Sequence, residues 1–213
     1  MKSIKFILLF IGRGLYFLTK PFNSFSGIIG IIFQQIKMGY LSGLLLKVGN
    51  NLLIGRNYRI IGGKYISIGD NFSALYGFRI EAFDTYLDNQ YTPEIFIGNN
   101  VFVNTDCHLA CINKLKIGNN VLIASRVFIT DHYHGQVGVD DHLPPYKRDL
   151  FSKGAVEIGN NVLIGEGVAI LPNVIIGDNC VIGANSVVNK SFPKNSIIAG
   201  VPARSIKTIM NDE

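Results

Sequence analysis

The chain has 213 residues, 48% of them hydrophobic and 16% charged, which is enough apolar material for a core and excludes a disordered chain. Its net charge of +5 sits at one end: residues 1–69 hold nine Lys/Arg and no acid, and the remainder holds eleven Lys/Arg against fifteen acids. Because the basic end is rich in Ile, Leu and Phe, it suits an anionic membrane surface and argues against nucleic acid as a partner.

In chain order, residues 1–47 come first, as an apolar, basic segment. Its apolar runs, residues 6–11, 15–18, 28–33 and 41–46, are interrupted by Arg13, Lys20, Gly30 and Lys37, so none reaches the ~18 residues a spanning helix needs. Lys2 and Lys5 ahead of Phe-Ile-Leu-Leu-Phe-Ile imitate a signal peptide, but Arg13 breaks the run and no small-residue cleavage site follows. Two arrangements remain for this segment: helices in the membrane interface, or helices packed over the open end of the domain that follows.

That domain, residues 48–206, is a repeat. From Ile158 an aliphatic side chain recurs every six positions, at Ile164, Ile170, Ile176, Ile182 and Val188, with a smaller set at Val162, Val168, Val174, Cys180 and Ser186. The same phase runs through Ile97 and Val103 and through Ile117, Ile123 and Ile129, with weaker copies at Ile54-Gly55 and Ile68-Gly69. Six is neither a helical period nor a plain strand alternation, so each unit is a short strand plus a turn, stacked on its neighbours. Gly-Asn-Asn and Gly-Asp-Asn after the inward aliphatic supply turn residues that accept positive φ. Three hexads make one turn of a triangular prism. Ile158 to Ile176 is one such turn of 18 residues, Ile97 to Ile117 is 20, and Ile117 to Ile158 is 41. The last interval requires a loop that leaves the path at about residues 135–155, and a second irregular stretch lies between Ile80 and Pro93. Residues 207–213 form a tail. Cys107, Cys111 and Cys180 have no Cys-x-x-Cys spacing and read as reduced thiols of a cytosolic core.

Three stretches add a closer signature: residues 117–123 leading into Thr130-Asp131-His132-Tyr133-His134-Gly135, residues 158–165, and Ala199-Gly200-Val201-Pro202-Ala203-Arg204. With the repeat they resemble the hexapeptide-repeat acyltransferases, above all the galactoside and maltose acetyltransferases and the O-acetyltransferases of bacterial surface polysaccharides. The resemblance covers about three quarters of the chain. It implies an all-β fold, a left-handed parallel β-helix, assembled as a homotrimer, with acetyl-CoA as acyl donor and no metal. It further implies transfer to the hydroxyl of a saccharide acceptor in the cytoplasm, and the basic N-terminal segment adds the expectation of peripheral contact at the inner face of the membrane.

Acetyl transfer to an alcohol needs a base for the hydroxyl proton, and histidine suits that role near neutral pH. An ungapped count from Ile117 places the family's catalytic histidine on His134, whereas matching Thr-Asp-His selects His132. Asn104 and Asp106 match the polar pair that orients the acceptor, although Asp106 stands where asparagine is expected and also suits a simple turn. For the donor, the resemblance indicates Gly165, Ala184 and Asn189 along the pantetheine arm. Lys190, Lys194, Arg204 and Lys207 are candidates for the coenzyme's phosphates and Pro202 for its adenine. In the loop, Asp140, Asp141, His142, Tyr146, Lys147 and Arg148 are candidates for acceptor recognition. Competing readings are a small soluble acceptor such as a free sugar, amino sugar or antibiotic, a non-catalytic scaffold, and a zinc carbonic anhydrase, for which no third imidazole is supported by pattern.

Overall fold

The computed structural model describes residues 30 and 32–208. The signal-peptide, membrane-interface and capping readings of residues 1–29 lie outside the described residues, as does most of the tail. The chain divides into a unit ending at Leu41 and a unit that begins at Ser42. In the first, residues 32–41 are helical and Ile32, Phe33, Ile36 and Tyr40 are exposed. Among the described residues no helix is long and apolar enough to cross a membrane.

The second unit is a left-handed parallel β-helix with three faces of short strands. One face stacks Lys47–Val48, Ile66–Ile68, Glu94–Ile97, Lys114–Ile117, Val156–Ile158 and Ile175–Ile176. The next runs from Leu53–Ile54 through Phe102–Val103, Leu122–Ile123 and Leu163–Ile164 to Ser196–Gly200, and the third from Arg59–Ile61 to Val187–Val188. Register places like on like: Ile68, Ile97, Ile117, Ile158 and Ile176 lie in line on the first face. On the third, Ile80, Leu109, Ile129, Ile170 and Val188 do the same. These side chains are buried together with the smaller second set, Val101, Val121, Val162 and Cys180. Fully burying each large aliphatic stabilises the stack by about 1.5–3 kcal/mol, and a one-residue slip of any strand would turn its aliphatic out of the core. The stack ends at Ala203–Thr208, which pairs antiparallel with Ser196–Gly200.

The turns divide their work in a way the sequence reading merged. The glycines of the Gly-Asn-Asn corners do not carry the positive φ; they answer to crowding. A Cβ on Gly98 would lie 2.7 Å from the Gly118 carbonyl oxygen, and one on Gly118 2.6 Å from that of Gly159. The left-handed position falls on the asparagine that ends each Gly-Asn-Asn or Gly-Asp-Asn corner, at Asn71, Asn100, Asn120, Asn161 and Asn179, with φ between 55° and 57°. Their amides form a ladder in which Asn71 Nδ2 donates to Asn100, Asn100 to Asn120 and Asn120 to Asn161 at 2.8–3.0 Å. Asparagine fits because it tolerates this backbone and carries both a donor and an acceptor.

Two excursions interrupt the coils. Thr85–Tyr86 and Asn89–Gln90 form a small antiparallel hairpin, and Tyr133–His134 pairs with Leu150–Phe151 at the base of a longer loop.

Candidate active site

The longer loop is launched from a buried carboxylate. Asp131 has no exposed surface, and its oxygens accept from the backbone N–H of Ile112 (3.0 Å), Asn113 (2.8 Å) and Lys114 (2.8 Å) in the preceding coil and from the Cys111 thiol. Burial, with Asp131 beside it, pushes the Cys111 thiol far above its ordinary value. The same carboxylate lies 2.9 Å from His132 Nδ1. His132 is only 9% exposed and meets the Phe83 ring edge-on at 6.2 Å. Its ring is held by Asp131 on one side and packed on the other.

His134, two residues on, is exposed. It lines a cavity of about 440 Å³ with Tyr133, Gly135, Gln136, Val137, Phe151 and Lys153. Its Nδ1 lies 3.3 Å from the Tyr86 hydroxyl, and the two rings meet edge-on at 5.4 Å. Strand alternation would put residues two apart on the same face, so it does not explain the contrast between the histidines; His132 instead lies against the buried Asp131 carboxylate. Gly135, at φ +82°, is required here, since a Cβ would strike the Arg148 side chain.

Several loop candidates hold the loop itself together. Asp140 and Asp141 accept from the backbone N–H of Gln136 and Gly138, and Arg148 Nε donates to the Leu143 carbonyl. His142, Tyr146 and Lys147 are exposed, with the Lys147 ammonium 5.9 Å from the Tyr146 ring centroid.

Asn104, Asp106, Gly165 and Ala184 gather at the corner between the second and third faces, whereas Asn189 and Lys190 lie past the other end of the third face, level with the residues that lead to the histidines. Asn104 N donates to Ile123 O, Ala124 N to Ile164 O, Gly165 N to Ile182 O and Gly183 N to Ile198 O, so one column runs from Asn104 to the C-terminal hairpin. A Cβ on Gly165 would lie 2.6 Å from Ala184 N, which places these two small residues on adjacent coils. The Asn104 side chain accepts from Thr105 N at 2.8 Å, and Asp106 takes the left-handed turn position at φ +56°. Pro202, Arg204 and Lys207 are exposed on the hairpin, where Arg204 pairs with Ala199 and Lys207 with Ile197. Asn189 and Lys190 follow Val187–Val188, and the Lys190 ammonium lies 5.6 Å from the Phe192 ring centroid. Lys194 points elsewhere, into a groove on the first face beside Asn160 and Asp178. The histidines, by contrast, follow the far ends of the third-face strands, about 13 Å from this corner for four extended residues. Along the third face of one chain, His132 and His134 thus stand at the end opposite Asn104, Gly165 and Ala184.

A polar cluster on the third face was not singled out by the sequence reading. Glu81, 2% exposed, accepts from Arg79 Nη2 at 3.1 Å, forms an ion pair with Arg59 Nε at 3.0 Å, and lies 2.9 Å from His108 Nε2. Burial outweighs the carboxylate and holds His108 below the ordinary imidazole value. The signal was present: Arg59, Arg79 and His108 each immediately precede an inward aliphatic, and register stacks them.

The chain matches the family model for the bacterial transferase hexapeptide (six repeats) over residues 155–190. It is 46% identical over 147 residues, 67% of this chain and 71% of the relative, to a protein of Escherichia coli K12 named as a lipopolysaccharide biosynthesis O-acetyl transferase, WbbJ. Among solved structures it is similar to a maltose O-acetyltransferase from Clostridium difficile 630, with 34% identity, TM-score 0.56 and coverage of 80% of this chain and 73% of that one. A galactoside acetyltransferase in complex with coenzyme A gives 30% identity, TM-score 0.53 and coverage of 81% and 70%.

Proposed function

Because this chain belongs to the hexapeptide-repeat acetyltransferases and is an acyltransferase that takes its acetyl group from acetyl-CoA, we propose that it O-acetylates a sugar hydroxyl of a bacterial surface polysaccharide or its lipid-linked precursor, with His134 as general base. The observation that carries the assignment is the exposed His134 imidazole on the wall of the loop-base cavity. His132, sealed between Asp131 and Phe83, serves to anchor the loop. In the proposed step, His134 removes the acceptor hydroxyl proton as the oxygen attacks the thioester carbonyl. The tetrahedral intermediate then collapses to the acetyl ester, and the imidazolium returns the proton to the departing thiolate.

The donor arm lies along the small-residue corner at Gly165 and Ala184, with Asn189 and Lys190 beyond it and Pro202, Arg204 and Lys207 at its adenine-phosphate end. The acceptor is oriented by Asn104 and Asp106, with Tyr146 at the loop. Because the corner and His134 stand at opposite ends of the third face, a site that uses both needs a second copy, and this supports the homotrimer. The outward row Phe102, Leu122 and Leu163 on the second face, each about 40% exposed, is apolar surface suited to such a contact. The polysaccharide acceptor draws support from the WbbJ likeness and from the basic, apolar residues 1–47, which suit a membrane-borne precursor at the cytoplasmic face. The maltose and galactoside relatives favour a second reading, a free sugar.

The test is acetyl-CoA turnover with lipid-linked and free oligosaccharides by the parent, His132→Ala and His134→Ala, together with a form lacking residues 1–47. Transfer to the lipid-linked acceptor that fails in His134→Ala and weakens without the N-terminal segment supports the proposal. Equal rates on free sugars with and without that segment favour the second reading.

A further inference from the structure

The short hairpin between Thr85 and Gln90 lies beside the loop-base cavity, and its contacts bear on the tautomer of His134. The Tyr86 hydroxyl meets two groups, His134 Nδ1 at 3.3 Å and the Tyr146 carbonyl oxygen at 3.4 Å. A hydroxyl has one proton, and a carbonyl can only accept. The proton of Tyr86 is therefore given to Tyr146 O, and the contact with His134 is satisfied when Nδ1–H donates to the Tyr86 oxygen. That tautomer leaves the lone pair on Nε2. The rings meet edge-on, which fixes the plane of the imidazole as well as its proton.

The hairpin is itself tied to the loop. Tyr91 Oη donates to Leu150 O and accepts from Leu150 N, both at 3.1 Å, one strand across from His134 in the Tyr133–His134 and Leu150–Phe151 pair. Tyr86 thus stands on an element clamped to the frame that carries the histidine. Both Tyr86 contacts are long, as is common for catalytic hydrogen bonds before substrate closes the site.

We infer that Tyr86 is a positioning residue: it holds His134 in the Nδ1–H tautomer and presents Nε2 as the base toward the acceptor hydroxyl. This rests on the reading of His134 as the base. The chain is His134 Nδ1–H to Tyr86 Oη–H to the Tyr146 carbonyl, so it also links the histidine's tautomer to the position of residue 146 in the protruding loop.

The experiment is long-range proton–nitrogen NMR of the full-length protein labelled at histidine, at a pH above the imidazole titration, with His134→Ala used to assign the resonances. The inference expects His134 to carry its proton on Nδ1 in the parent and to move toward the Nε2–H form in Tyr86→Phe, which keeps the ring. It also expects acetyl transfer by Tyr86→Phe to fall about tenfold, the usual worth of one such hydrogen bond, with the acidic limb of the pH profile displaced and KM for acetyl-CoA unchanged. A parent His134 protonated on Nε2 overturns the inference, and so does a tautomer identical in parent and Tyr86→Phe. If His134→Ala keeps the parent rate, the base assignment falls instead, and the tautomer measurement still decides the hydrogen-bond chain.

Discussion

From Asn71 to Asn179 the same amide makes the same hydrogen bond to its counterpart one coil on, whereas the hairpin at Thr85–Gln90 and the loop on Tyr133–His134 are held by contacts that occur once. In the coils each residue's environment is copied by its neighbours, so stability is distributed and nearest-neighbour in origin. In the excursions single groups carry the structure: Asp131 for the loop's entry, Tyr91 for its exit, Gly135 for its bend. Repetition yields a rigid scaffold, and departure from repetition yields the places where chemistry can differ from coil to coil.

That contrast can be broken at several points, in descending order of effect. His134→Ala should lower acetyl transfer by about 10²–10⁴-fold while leaving the circular dichroism spectrum and oligomeric state intact; equal loss in His132→Ala without destabilisation would move the base to the buried histidine. In the coils, Ile164→Ala, at a fully buried position, should cost about 2–5 kcal/mol in denaturant unfolding, with no selective effect on the cavity around His134. Asp131→Ala should cost about 1.5–3 kcal/mol, because three backbone N–H groups and His132 lose their acceptor. The damage should concentrate in the loop, read as faster hydrogen exchange at residues 133–151 than in the coils. Asn120→Ala should cost about 1–2 kcal/mol through its left-handed φ alone, and Asn120→Gly less, which thermal melts would separate.

The smallest effect is a pH dependence. His108 has its folded pKa depressed below the unfolded value of about 6.5, chiefly by burial. The unfolded chain therefore takes up a proton as pH falls through about 6.5 while the native state does not. Stability from this group is complete above that pH, declines below it, and levels off once the folded pKa is passed. Melting temperatures between pH 8 and 5 should show this decline in the parent and lose that component in His108→Gln.

The prism was legible because its signal is additive: six-residue spacing at Ile158, Ile164, Ile170 and Ile176 is repeated often enough to outweigh any single exception, and the intervals of 20 and 41 residues located the coil with two extra residues and the long loop. The corners were read less well, since composition alone does not separate a glycine needed for close approach, such as Gly118, from an asparagine needed for its φ, such as Asn120. At the site, the sequence narrowed the base to His132 and His134 and favoured His134 by the ungapped count from Ile117, without a physical reason to separate them. Two residues apart, they differ in burial because Asp131 reaches back to the turn at residues 112–114, a contact between coils that no local pattern encodes. Tyr86 was hidden for the same reason, since it meets His134 across 48 positions of chain. Hydrophobic periodicity is a property of neighbours in sequence, and so the sequence by itself determined the coil, its core and the interval at which the chain leaves it. Which side chains face one another across the two excursions depends on how the coils stack, and only the tertiary structure decided that.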